Sequence, residues 1–260
     1  MVDAAPASLP ETPSFRLDGR RALVTGAGRG IGAAMAAALA EAGAEVVLAA
    51  RTATEVESVA ADIAKLGGTA AALTMDVTDV AMVREILATQ PAFHILVNNA
   101  GTNRPKPLTE VTEDDYRAVV DLNLKASFFV SQTVANRMAS ESIRGSIIFM
   151  SSQMGHVGAP QRTLYCASKH AVEGLTKAMA IELGPQGIRV NTIAPTFIET
   201  PMTRPFLLDP AFKQSVLANI RLGRLGRVED LMGAVVYLAS DASALVTGTS
   251  LLVDGGWTAG

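Results

Sequence analysis

Arg21-Ala-Leu-Val-Thr25-Gly26-Ala-Gly-Arg-Gly-Ile-Gly32, running into the alanine-rich stretch that ends at Ala42, decides the fold. The first five residues read as a short apolar strand, and the glycines end it and open a helix over Ile31 to Ala42. A strand, a glycine loop and a helix N-terminus in that order form an anion site. Unpaired N–H groups and the positive end of the helix dipole face the same point. Glycine lets the backbone approach a pyrophosphate with no side chain in the way. The dinucleotide-contacting positions on this reading are Gly26, Arg29, Gly30, Ile31 and Gly32.

Outward from this loop, Gly43 closes the helix and Glu45-Val-Val-Leu-Ala49 gives a second strand. Where a dinucleotide fingerprint expects an acidic residue for the adenosine ribose, the chain has Ala50 followed by Arg51. Arg29 and Arg51, with no carboxylate there, favour a 2′-phosphate. The expected cofactor is therefore NADP(H), with NAD(H) second. A helix over Thr54 to Leu66 and a strand over Ala70 to Thr74 lead to Asp76-Val77, where Asp76 suits either the adenine amino group or a helix N-cap. A short helix, Asp79 to Ala88, precedes a strand, His94 to Asn98, and the loop Asn98-Asn99-Ala100-Gly101, whose small residues let the backbone lie against a cofactor.

Thr112-Glu-Asp-Asp115 opens a helix that continues to about Ala139, with Asn123 inside its apolar face as a kink or part of a polar channel. The strand Ser146 to Met150 delivers Ser151 and Ser152 at its carboxyl end, where open α/β sheets place their sites. A loop from Gln153 to Thr163 leads to a helix running to Leu183. In it Tyr165 and Lys169 are i, i+4 neighbours, setting an ammonium beside a phenol. A fixed positive charge favours phenolate, so the pair is expected to exchange a proton close to neutrality. A strand over Arg189 to Ile193, an irregular lid-like section to Pro210, a helix over Val228 to Ala239 and a strand over Ser250 to Val253 complete the chain.

With 260 residues, 49% hydrophobic and 18% charged, the chain can bury a parallel sheet between helical layers. No linker divides it, so we read a loose N-terminal arm over 1–16, with Pro6, Pro10 and Pro13, and one domain over 17–260. A net charge of -3 with no basic run gives no reason to expect nucleic acid or a membrane surface, and no stretch resembles a secretory signal. The single cysteine, Cys166, excludes an internal disulfide and suits a cytoplasmic location. His94, His156 and His170 are not at metal-ligand spacing, and no metal is expected.

Taken together, Thr25-Gly26-x-x-x-Gly30-Ile31-Gly32, Asp76, Asn98-Asn99-Ala100-Gly101, Asn123, Ser152 and Tyr165-x-x-x-Lys169 resemble the signature of the short-chain dehydrogenase/reductase family over Leu17 to Trp257. The resemblance implies a single-domain α/β Rossmann fold, a doubly wound seven-stranded parallel sheet in the order 3-2-1-4-5-6-7 with helices on both faces. It also implies a catalytic tetrad of Asn123, Ser152, Tyr165 and Lys169. Tyr165 would be general acid for carbonyl reduction and base for alcohol oxidation, and Ser152 would hold the substrate oxygen. Lys169 would bind the nicotinamide ribose and lower the tyrosine pKa, and Asn123 would bend its helix to hold a water passing protons to Lys169. Asp76, Val77, Asn99, Ala100, Gly101, Pro195, Thr200 and Met202, together with Tyr165, Lys169 and Arg51, fall where cofactor contacts are expected. Pro195-Thr196 stands where the family usually has Pro-Gly, and the segment between Asp79 and His94 is short for the family.

The expected reaction interconverts a secondary alcohol and a ketone on a small molecule. Arg104, Gln153, His156, Arg162 and Arg204 are the substrate-side candidates, with Arg104 suggesting the gluconate and polyol dehydrogenase branch. Two other readings stand beside it: a 3-oxoacyl-thioester reductase, which should show a basic patch at the site entrance, and a non-catalytic NAD(P)-binding sensor. The resemblance further implies a homotetramer built through the Asn123 and Tyr165 helices and the last strand.

Overall fold

The computed structural model describes residues 9–260; residues 1–8, half of the arm read over 1–16, lie outside the described residues. From Leu17 onward the chain alternates strand and helix. The strands are β1 (Arg21–Thr25), β2 (Glu45–Ala50), β3 (Thr69–Thr74), β4 (Ile95–Asn98), β5 (Ser146–Met150), β6 (Arg189–Pro195) and β7 (Ser250–Val253). They form one sheet in the order β3-β2-β1-β4-β5-β6-β7, and every neighbouring pair is parallel. The expected order and strand count are thus the observed ones.

Successive strand residues point to opposite faces, so a strand buried on both sides must be apolar throughout. Val24, Val46, Leu48, Ile95, Val97 and Ile148 face one layer, packed by Met35 and Leu39 of α1 (Gly30–Glu41) and by Leu231, Val235 and Leu238 at the far end of the chain. Leu23, Val47, Leu96, Ile147 and Phe149 face the other, against Val83 and Leu87 of α3 (Val80–Thr89) and partners further along. Between β2 and β3 lies α2 (Ala53–Lys65).

The long helix expected after Thr112 is present but not uniform. It consists of α4 (Glu113–Val120), a π-helical turn over Asp121–Ala126 and α5 (Ser127–Ser140). At its start Thr112 and Asp115 cap each other reciprocally. The helix that carries Tyr165 and Lys169 is α6 (Thr163–Leu183). The section read as irregular as far as Pro210 holds a short helix, α7 (Arg204–Leu207), and is followed at once by α8 (Pro210–Asn219), which the sequence reading did not place. Proline at the first helical turn explains the omission, since its missing N–H has no partner to lose there. The last helix is α9 (Glu229–Ala239), and no helix among the described residues is long and apolar enough to cross a membrane.

The β1–α1 junction is tight. A Cβ added at Gly32 would stand 2.2 Å from the Gly26 carbonyl oxygen and 2.5 Å from Asn99 Nδ2. Gly32→Ala should destabilise the fold by on the order of 1–3 kcal/mol through overpacking, and should weaken NADPH binding. Denaturant melts and nucleotide fluorescence would show it, whereas wild-type values for both would contradict the tight-junction account.

Candidate active site

The carboxyl ends of β1, β2, β4, β5 and β6 open on one cavity of about 370 Å³. On the β1 side, Asn99 holds the glycine loop in place. Its Nδ2 donates to the carbonyls of Thr25 and Gly26 at 3.0 Å each, while the backbone N–H groups of Asn99 and Ala100 donate to Thr25 Oγ1. Gly26 and Gly30 take left-handed φ values of +64° and +58°, which few side-chain-bearing residues tolerate. Ile31, Val77, Gly101, Pro195, Thr200 and Met202 line the same cavity.

Arg29 and Arg51 both line the cavity, beside the glycine loop and the end of β2. Arg29 already pairs with Glu55 at 3.2 Å, its own side chain largely exposed. Such a pair is worth little and is easily exchanged. No carboxylate among the described residues pairs with Arg51. Asp76 lines the cavity, but its carboxylate also accepts from Thr78 N–H and Oγ1 at 2.9 and 2.7 Å. It is not the N-cap of α3; Asp79 is, accepting from Met82 N–H.

On the opposite wall Ser152, Tyr165 and Lys169 come together, the serine from the end of β5 and the other two from adjacent turns of α6. Lys169 is buried, and its ammonium donates to the Met150 carbonyl at 2.7 Å, lying 5.5 Å from the Tyr165 ring centre. Asn123 joins three segments. Its Oδ1 accepts from Thr102 N–H at 2.8 Å, and its Nδ2 donates to the Thr102 carbonyl at 2.9 Å and to Ser168 Oγ at 3.1 Å. Ser168 Oγ donates in turn to the Tyr165 carbonyl at 2.8 Å. The helix widens to a π turn at this residue, which frees its amide to reach across.

Proton affinities at the site depart from expectation. Burial pushes the Tyr165 phenol up, opposed by the Ser152 hydroxyl; Cys166 adds to the rise and Arg162 opposes it. Burial likewise lowers Lys169 to about 8, with Glu173 acting against the fall. The lowered phenol read from the Lys169 spacing is therefore not what the protein by itself provides. Desolvation favours the neutral form of each group and outweighs their proximity.

The substrate-side candidates divide. Gln153 is buried in the cavity wall, where it accepts from Ser152 Oγ at 2.8 Å, and Arg162 is buried beside Tyr165. Arg104 is not in the wall; it pairs with Asp115 at 3.3 Å, drawn away with Lys106, whose ammonium is 2.6 Å from the same carboxylate. His156 faces the other way, 2.9 Å from Ser250 Oγ and 3.4 Å from the buried Glu173. Arg204 begins α7 at the exposed surface outside the cavity. A residue number near the site fixes no direction, and each of these three follows a partner or solvent away from it. The reading missed Asn103 and Phe206, both in the wall and neither carrying a motif.

The donor set can be tested against a dinucleotide. Asn103 Oδ1, Ser151 Oγ and Thr196 Oγ1 line the cavity, buried and without a hydrogen-bond partner. Buried polar atoms left so are costly, and a polar ligand in the cavity would satisfy them. Together with the glycine cradle and Arg51, the residues fit NAD(P).

A family model described as enoyl-(acyl carrier protein) reductase matches residues 26–258. The chain belongs to the short-chain dehydrogenase/reductase family. It is accordingly an NAD(P)-dependent oxidoreductase. Among its relatives, D-erythrulose reductase of Gallus gallus is 39% identical over 94% of this chain and 98% of its own length. Gluconate 5-dehydrogenase of Gluconobacter oxydans is 40% identical over 94% and 96%. A solved gluconate 5-dehydrogenase from Burkholderia cenocepacia, in complex with NADP and tartrate, is 41% identical, covers 95% of this chain and 98% of its own, and superposes with a TM-score of 0.91.

Because burial lowers Lys169 to about 8 from its ordinary 10.5, the unfolded chain binds more protons between those values. The burial cost is therefore fully present below about pH 8 and fades as pH rises toward 10.5. Lys169→Met should stabilise the fold at pH 7 by on the order of 1–3 kcal/mol, allowing for the lost hydrogen bond. That gain should shrink by pH 10 in denaturant melts; a variant less stable than wild type at pH 7 would contradict it.

Proposed function

We propose that this protein interconverts a secondary alcohol and the matching ketone of a small polyhydroxylated substrate, using NADP(H). The observation that carries the reading is the convergence of Ser152, Tyr165 and Lys169 on one wall of the cavity whose far end is the glycine cradle and Arg51. When bound there, the nicotinamide supplies or accepts the hydride.

The chain's own residues handle the oxygen and its proton. Tyr165, whose burial further favours the neutral phenol, donates to the carbonyl oxygen in reduction and takes the proton back in oxidation. Ser152 Oγ turns from Gln153 to hold that oxygen. Lys169 is fixed by Met150 and holds a positive charge near the phenol whenever protonated, which favours phenolate as the proton leaves. Asn123 sets the spacing of α6 from the loop after β4. Gly30, Thr200 and Asn99 are the phosphate- and nicotinamide-side holders on this reading, and Arg51 faces the 2′-phosphate.

Relatives named for erythrulose and gluconate support the polyhydroxylated class. A thioester substrate on a carrier protein would call for a basic patch at the entrance, but Arg104 and Lys106 are both committed to Asp115. That leaves Arg204 of α7 as the one exposed cation of the three with no carboxylate partner among the described residues. A sensor without turnover has no need of the full tetrad. We further propose a cytoplasmic homotetramer. Phe128 of α5, Ile181 of α6 and Leu252 of β7 are exposed apolar residues on the three elements expected to pair, and sedimentation equilibrium would reveal a monomer if the idea is wrong.

Two substitutions test the assignment. Tyr165→Phe should lower kcat by about 10²–10⁴-fold while leaving NADPH binding in place, and full turnover at 340 nm would remove the proton donor from the account. Arg51→Asp should shift the ratio of kcat/KM toward NAD(H). An unchanged ratio would show that Arg51 does not read the phosphate.

A further inference from the structure

The cavity is lined by charge of both signs only at its adenosine end, where Glu55 and Asp76 accompany Arg29 and Arg51. At the Tyr165 end the charged side chains are Lys169 and Arg162, with no carboxylate among them. Lys169 is committed to the Met150 carbonyl. Arg162 is not comparably satisfied. It is 8% exposed, its Nη1 donates to the Gln161 carbonyl at 3.3 Å, and its plane lies over the Phe206 ring at 5.8 Å. Among the described residues no Asp or Glu pairs with it.

A guanidinium keeps its charge in proteins, and a charge withdrawn from water is expensive unless an anion faces it. Burial already lowers its proton affinity. Five N–H donors in a planar fork leave several to be met, and a carboxylate meets two of them in parallel. The position is specific as well. Arg162 is the N-cap residue of α6 and Tyr165 the third residue of that helix, so the cation stands one turn from the proton donor. A group held by Arg162 therefore belongs to the same small molecule whose oxygen Tyr165 serves.

We infer that Arg162 anchors a carboxylate of the substrate, so that the protein acts on a small hydroxy acid and its keto acid in preference to a neutral polyol. This rests on the reaction proposed above and narrows its substrate class. Arg104, the residue the sequence favoured for this role, is tied to Asp115.

The test compares three six-carbon probes with NADP⁺: D-gluconate, sorbitol, which lacks the acid, and sorbitol 6-phosphate, which carries a different anion. Wild type should favour gluconate over sorbitol in kcat/KM by tenfold or more. Arg162→Gln should collapse that ratio by roughly 10²-fold, the size of effect seen for charge pairs in closed sites. Arg162→Lys, which keeps the charge but loses the fork, should retain part of the preference, and NADPH fluorescence checks that both variants are folded. Equal use of sorbitol, preference for the phosphate, or an unchanged ratio in Arg162→Gln would overturn the inference while leaving the oxidoreductase reading intact. Calorimetric binding of gluconate to the enzyme–NADPH complex separates the two claims. Arg162-dependent binding without turnover of any probe would support the anchor and count against the proposed reaction, and no binding and no turnover would overturn the anchor too.

Discussion

The site depends on the removal of water from a phenol and an ammonium held side by side. Tyr165 and Lys169 lie one turn apart on α6, and burial pushes each toward its neutral form, the phenol upward and the ammonium down to about 8. Spacing alone suggested the reverse for the tyrosine, because two groups in water interact mainly through their charges. Out of water the cost of charging either group dominates. The consequence for chemistry is that the protein holds its proton donor loaded, and charge develops at the reacting oxygen where Ser152 and Lys169 can meet it.

That arrangement is expensive, and the fold supplies the means to maintain it. A fully parallel sheet buries apolar strands on both faces and brings the carboxyl ends of β1, β4 and β5 to one edge. The Met150 carbonyl is thereby aimed at Lys169. Asn123, from within its π turn, then links the loop after β4 to Ser168. One turn beyond Lys169 on α6, Glu173 is buried among hydroxyls of Thr192 and Ser250, with His156 beside it, and its negative charge partly offsets the lowering of Lys169.

Much of this was legible in the chain. Short apolar runs marked the interior strands β1, β2, β4 and β5, since a strand buried on both faces has no polar alternation to hide it; the edge strands β3 and β7 are partly exposed, and β6 buries Asn191 and Thr192. The glycine loop and the Asn-Ser-Tyr-Lys set were legible because their chemistry constrains residue type at fixed spacing. What was lost follows from direction and context. Arg104 and His156 sit close to the site in sequence, but Asp115 and the Ser250–Glu173 pair turn them away, and such partners are far off along the chain. The section read as irregular to Pro210 holds α7 and runs straight into α8, each with a proline, Pro205 and Pro210, in its first turn. The unpaired burial of Arg162 needs three dimensions to be seen at all.

The claim that burial governs the proton chemistry of this site can be measured directly, because the chain has only three tyrosines. An ultraviolet difference titration of wild type minus Tyr165→Phe isolates the one phenol in the protein alone. The account predicts that its phenolate band is absent at neutral pH and rises only above pH 10, the ordinary value for tyrosine. A midpoint near pH 7 would mean that the neighbouring ammonium, and not the loss of water, sets the acidity of Tyr165.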